Sequence, residues 1–170
     1  MPGAPVIPPS TAVFALVAMV AISALLVAIG LRNPRVMLQD YPKDVQAAVP
    51  PKTVAERRET VWWGTALIVA LFAPALAAAV AAQLQASDRS FAGGFLNALV
   101  VLLAFNLFDW LVLDWIMFCT VTPRFVVLPG TEGMAGYRDY GMHFRGFLLG
   151  LALSVAASAA IGGLTLLLPA

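Results

Sequence analysis

The chain has 170 residues, of which 61% are hydrophobic and only 11% charged, with a formal net charge of +1. Soluble domains carry roughly 25% charged residues, so less than half of that, with the apolar residues gathered into long runs, is the composition of an integral membrane protein. A single cysteine, Cys119, excludes an intramolecular disulfide and thiol-rich metal sites, and a single histidine, His143, argues against a multi-histidine haem or zinc centre.

No P-loop, GxGxxG, HExxH or GxSxG pattern is present. No resident metal or cofactor and no nucleic-acid partner is expected. The expected partners are the lipid bilayer and a homo-oligomer or larger membrane complex.

The first apolar run covers about Ser10 to Leu31. Met1 to Pro9 carries no Lys or Arg, so the charged start of a signal peptide is missing and the run is read as a retained helix. After it, Asp40 is expected to cap a short helix with Pro42 in its first turn. Val45, Ala48 and Val49 would form a narrow apolar edge on that piece, lying on the membrane surface or against the third loop.

The second helix is expected over about Val54 to Gln85. Thr53-Val54-Ala55-Glu56 matches a capping box, and Pro50 and Pro51 stop helix just upstream. Trp62 and Trp63 fit an aromatic belt at the membrane interface. Pro74 should bend the helix, and the alanines between Ala73 and Ala82 offer a smooth packing surface.

The third helix is expected over about Phe95 to Val121. It carries Asn106, Asp109 and Asp114 at depths where a carboxylate is expensive and needs a reason. With α-helical winding, Asp114 lies about 7.5 Å along the axis from Asp109 and the two point about 140° apart. A shared-proton dyad is therefore not expected, although the two could line two sides of a bundle interior in a polar site with Asn106 and the loop arginines. No Lys, Arg or His lies inside any of the four apolar runs, the second of which covers about Val61 to Gln85 and leaves the first two turns of its helix in water. Asp109 is thus expected as a neutral carboxyl donating to Asn97, Ser23, Ser154 or a carbonyl near Pro74. Asp114 is expected to pair with Arg145 or Arg124.

The loop from Thr122 to Gly146 is rich in glycine yet carries Phe, Val, Leu, Tyr and Met, which a plain linker would lack. Phe125 to Leu128 reads as a short extended or re-entrant piece, and Pro129-Gly130 as a tight turn. The first expectation is an ordered cap packed over the helix ends, with Arg124, Arg138 and Arg145 as topology determinants; the alternative is that these arginines hold a phosphate headgroup. His143, with Asp139 four residues earlier, is a candidate general base or pH sensor. The fourth helix, about Phe147 to Leu168, carries small residues at every fourth position: Gly146, Gly150, Ser154, Ser158 and Gly162. Such a stripe lets two helix backbones approach closely, with packing inside the chain expected ahead of packing on a second protomer, and the alanines of the second helix offer a matching surface.

Nine of the ten Lys and Arg lie in the segments after the first and third runs, and only Arg89 lies in the second loop. The positive-inside rule then places loops 32–53 and 122–146 in the cytoplasm and both termini outside. The expected architecture is a single-domain, all-α, four-helix transmembrane bundle of the cytoplasmic membrane, with structured loops covering its inner end. The leading functional expectation is a non-enzymatic accessory or ligand- or lipid-binding membrane component. The alternatives are a small oligomeric proton-coupled transporter using Asp109 and Asp114, and a lipid-headgroup enzyme using the 122–146 loop.

Overall fold

The computed structural model describes residues 7–167. The only regular structure among these residues is helix, with no strand, and four helices are long and apolar enough to cross a membrane: Pro9–Arg32, Val54–Gln85, Phe91–Val121 and Tyr140–Thr165. The expected end of the last helix at Leu168 lies outside the described residues.

Helix α1 (Pro9–Arg32) opens on a proline, whose fixed φ is pre-set for a helix start. It stops at Asn33, which is extended because Pro34 follows. The Asn33 side chain accepts from Arg35 N at 3.1 Å and begins a 3-10 helix, Pro34–Asp40. Helix α2 (Lys43–Ala48) follows Pro42. Asp40 does not cap it, contrary to expectation: its carboxylate accepts from Gln39 Nε2 at 2.7 Å, because the chain reaches α2 only after the extended Tyr41 and Pro42.

Helix α3 (Val54–Gln85) starts at the expected capping box. Glu56 N donates to Thr53 Oγ1 at 3.2 Å and Thr53 N to Glu56 Oε2 at 2.7 Å. It runs through a buried Pro74. Helix α4 (Phe91–Phe108) is capped by Ser90, whose hydroxyl accepts from Gly93 N at 3.1 Å, and begins a turn before the expected Phe95. It continues without a break as a π-helix, Asp109–Val121, and ends at Thr122 in the left-handed conformation.

Helix α5 (Tyr140–Thr165) begins earlier than the expected Phe147. Asp139 caps it, accepting from Met142 N at 2.8 Å, and helix forms despite Gly141 and Gly146. His143, Arg145 and Gly146 are therefore helical residues rather than loop residues. Between α4 and α5, Arg124–Val126 is a 3-10 turn rather than an extended piece, and Ala135–Arg138 is another. Gly130, at φ +84°, makes the turn after Pro129 that only a residue without Cβ adopts freely.

The core between the helices is built from small side chains. Ala15 and Ala18 of α1, Ala75, Ala78 and Ala79 of α3, Ala98, Val101 and Leu102 of α4, and Ile161 of α5 form one cluster. Large apolar residues such as Val20, Ile68, Leu149 and Leu153 face outward, the reverse of a soluble protein. The small stripe of α5 packs on α4, not on the alanines of α3, which meet α1 and α4. A Cβ on Gly162 would sit 2.9 Å from the Phe95 nitrogen, and one on Gly94 3.1 Å from the Gly162 Cα. Ser154 and Ser158 are buried on the same face, whereas Gly146 faces open space.

Two polar clusters pin one end of the bundle. Gln83 Nε2 donates to Ser90 O at 2.7 Å and to Thr165 Oγ1 at 3.0 Å. Thr11 Oγ1 donates to Asn97 Oδ1 at 2.6 Å. At the other end the two long loops interlock. Leu38, Tyr41 and Val45 pack on Leu128 and Tyr137, so the expected apolar edge of α2 does meet the third loop. Tyr41 Oη donates to Val126 O at 2.8 Å and Gly136 N to Asp44 Oδ2 at 2.9 Å.

Candidate functional site

The winding of α4 changes where its carboxylates point. In a π-helix the backbone bonds run from residue i to i+5, so residues five apart stack one above another. Thr122 N reaches back to Met117 O at 2.9 Å in this register. Trp110 and Trp115, also five apart, bring their rings to 4.8 Å. Asp109 and Asp114 have the same spacing and line one cavity together. The expected separation of about 140° assumes α-helical winding, whereas the winding switches to π at Asp109 itself.

His143 completes the group. Its Nδ1 lies 3.0 Å from Asp114 Oδ1, and the side chain is 9% exposed. Its Nε2 has no hydrogen-bond partner. Asp114 thus pairs with a histidine from α5, not with Arg124 or Arg145. Asp139, occupied at the start of α5, is not the partner of His143 either. One turn deeper, Asn106 Nδ2 donates to Phe147 O at 3.2 Å, and its side chain fills the space that a Cβ on Gly150 would need. Asn97, expected near Asp109, is instead held by Thr11 and by Gly93 O at 2.9 Å.

Aromatic rings form the wall beside these groups. Trp110 stacks on Phe147 at 4.4 Å and lies 5.3 Å from Phe144. Phe118 lies 5.1 Å from the His143 ring. The indole nitrogen of Trp110, like His143 Nε2, is buried without a partner. The cavity they line measures about 540 Å³, within the range of small-molecule sites. It runs from Asn106 and Asp109 to Asp40, Lys43 and Gln46 of the first loop. Asp40, Asp109 and Asp114 outnumber Lys43, and no arginine reaches the cavity. Burial pushes the Asp40 carboxyl above its ordinary range, against the opposing pull of Gln39 and Lys52.

Of the residues singled out by sequence, Asn106, Asp109, Asp114 and His143 converge here. Arg124 and Arg138 line a separate groove on the third loop, and Arg145 lines neither. Among the described residues no three His, Cys, Asp or Glu side chains are placed to hold a metal ion. Trp110, Phe118, Phe147 and Tyr41 were not singled out. The repeat Asp109-Trp110 and Asp114-Trp115, spaced by five, is a signal that points to Trp110, and the other three carry none.

No protein-family model, curated protein or solved structure matches this chain.

Proposed function

We propose that this is a membrane-spanning ligand-binding protein whose site is the cavity between α4, α5 and the first loop, and whose ligand is a small organic cation with an apolar body. The observation that carries the reading is the stacking of Asp109 and Asp114 on one cavity wall, with His143 on Asp114. Carboxylates beside apolar helices need a partner, and two of them with no lysine or arginine at that depth favour a positive guest. Faces of Trp110 and Phe147 beside them suit a cation as well as an apolar chain. The charge asymmetry of the loops supports a cytoplasmic-membrane protein with both termini outside, so the cavity opens on the cytoplasmic side. No bond-making chemistry is assigned to the site.

The test is calorimetric titration of the purified protein in nanodiscs with a primary amine, a quaternary ammonium compound and a neutral isostere of each. Saturable binding of a cation, absent for its isostere and lost in Asp109→Asn, is the expected result. Equal binding by Asp109→Asn, or no binding by either cation, overturns the reading. Reporter fusions at the two termini check the orientation: both should report from the outer side.

A second reading has the same site move its ligand in exchange for protons. It is favoured by the contiguity of three titratable side chains, Asp109, Asp114 and His143, on one wall. It requires flux in proteoliposomes that disappears in Asp109→Asn while folding is retained.

A further inference from the structure

The third loop carries a second concavity that the cavity above does not use. It measures about 870 Å³ and lies where α4 ends, at Thr122, immediately beyond the apolar span. The loop that shapes it is internally braced. Tyr137, 3% exposed, accepts Leu128 N at 2.9 Å and bonds Thr131 Oγ1 at 2.7 Å. Gly136 is tied to Asp44 of α2. The groove is thus a fixed surface rather than a passing shape of a linker.

Its charge is specific. Arg124 and Arg138, from the two 3-10 turns, both line it, and neither is joined to a carboxylate. Glu132, the one acid on the wall, turns an oxygen back to Gly130 N at 3.2 Å. Val127, Pro129 and Met134 supply an apolar side. Two guanidinium groups facing one concavity match a phosphate, which accepts paired N–H bonds from each. The level of the groove, at the end of a membrane-length helix and beside apolar side chains, matches a phosphate whose remainder is lipid.

We infer that this groove binds the phosphate headgroup of an anionic phospholipid, gripped between Arg124 and Arg138. The site goes beyond the cavity reading and does not depend on it, since the two share no arginine. The loop that shapes the groove also borders the cavity, through Tyr41 and Val126.

The experiment is native mass spectrometry of the intact protein released from nanodiscs containing phosphatidylglycerol and phosphatidylcholine. Wild type should retain phosphatidylglycerol selectively. The double variant Arg124→Gln with Arg138→Gln should lower that retention by more than about tenfold. The double variant Arg57→Gln with Arg58→Gln removes the same charge from an exposed stretch of α3 and should retain lipid as wild type does. Equal loss in both double variants would mean diffuse attraction to the surface and would overturn the site, as would no preference for phosphatidylglycerol. Displacement of the lipid by millimolar glycerol phosphate would assign the groove to a soluble phosphate and overturn the lipid. An unchanged thermal unfolding midpoint in the arginine variants is expected, because both side chains are exposed.

Discussion

Asp114 on α4 and His143 on α5 are 29 positions apart in the chain and 3.0 Å apart in the fold. The pair joins the π-helical part of one helix to the first turn of the next, and it places the one histidine on the cavity that both aspartates line. Removing Asp114 leaves His143 buried with a second unmet ring nitrogen, and removing His143 leaves a half-buried carboxylate without its partner. Asp114→Leu or His143→Leu should each lower stability by about 1–3 kcal/mol. The double variant should cost less than the sum of the two, as groups in direct contact are not additive. Thermal unfolding in detergent across this cycle measures it, and strict additivity would mean that the two side chains do not interact.

The register of Asp114 is testable by moving its carboxylate. Exchanging neighbours, Leu113→Asp with Asp114→Leu, puts the acids four apart. On the π-helix this moves the second acid around the axis away from His143 and breaks their pair. Cation affinity at the cavity should fall by at least about tenfold, the loss of roughly one charge-assisted contact. Wild-type affinity in the exchanged variant would mean that the Asp114–His143 pair does not support the cavity.

The glycines of α5 separate into two kinds. Gly162→Ala drives a methyl group into the Phe95 backbone and should destabilise by about 1–3 kcal/mol through overpacking. Gly146 and Gly163 have nothing within 4 Å of a new Cβ. Their alanine variants should be neutral or stabilised by about 0.4–1 kcal/mol, because alanine loses less backbone freedom on folding. Unfolding midpoints of the three variants, compared in one detergent, decide the matter. Destabilisation by Gly146→Ala would indicate a neighbour from a second protomer.

Alkaline pH should loosen the interlocked loops through Tyr41. Burial, and after it the neighbouring Tyr137 and Asp40, push its phenol well above the ordinary tyrosine range, and its hydroxyl donates to Val126 O. The folded state therefore holds this proton more tightly than the unfolded chain. That contribution is complete below about pH 10, the unperturbed tyrosine value, and is lost as pH rises toward the folded value. Stability measured from pH 8 to pH 11 should decline in wild type and decline less in Tyr41→Phe. The variant should be weaker at pH 8 by about 1 kcal/mol for the lost hydrogen bond.

Much of the frame is local and so can be read from the chain. The four spans follow from uninterrupted apolar runs, and the start of α3 from four consecutive residues that satisfy one another's amides. The start of α5 misleads because glycine at positions 141 and 146 resembles loop, while the fold stabilises the helix there through the Asp139 cap and the contacts of His143. The partner of the small-residue stripe is equally hidden. Alanines on α3 and glycines on α4 look alike as smooth surfaces, and only the crossing of α4 and α5 brings Gly94 onto Gly162.

What the sequence determined by itself is placement along the helix axes: which segments are apolar enough to span a membrane, where charges accumulate, and that Asp109 and Asp114 lie among apolar residues. Hydrophobic transfer acts on each segment separately, so it leaves its mark on each segment separately. What only the tertiary structure decided is placement around those axes. The π-winding of α4 rotates Asp114 under Asp109, and the approach of α5 brings His143 to it. Both depend on how the packed helices satisfy backbone and side-chain hydrogen bonds together, a condition that no single segment carries.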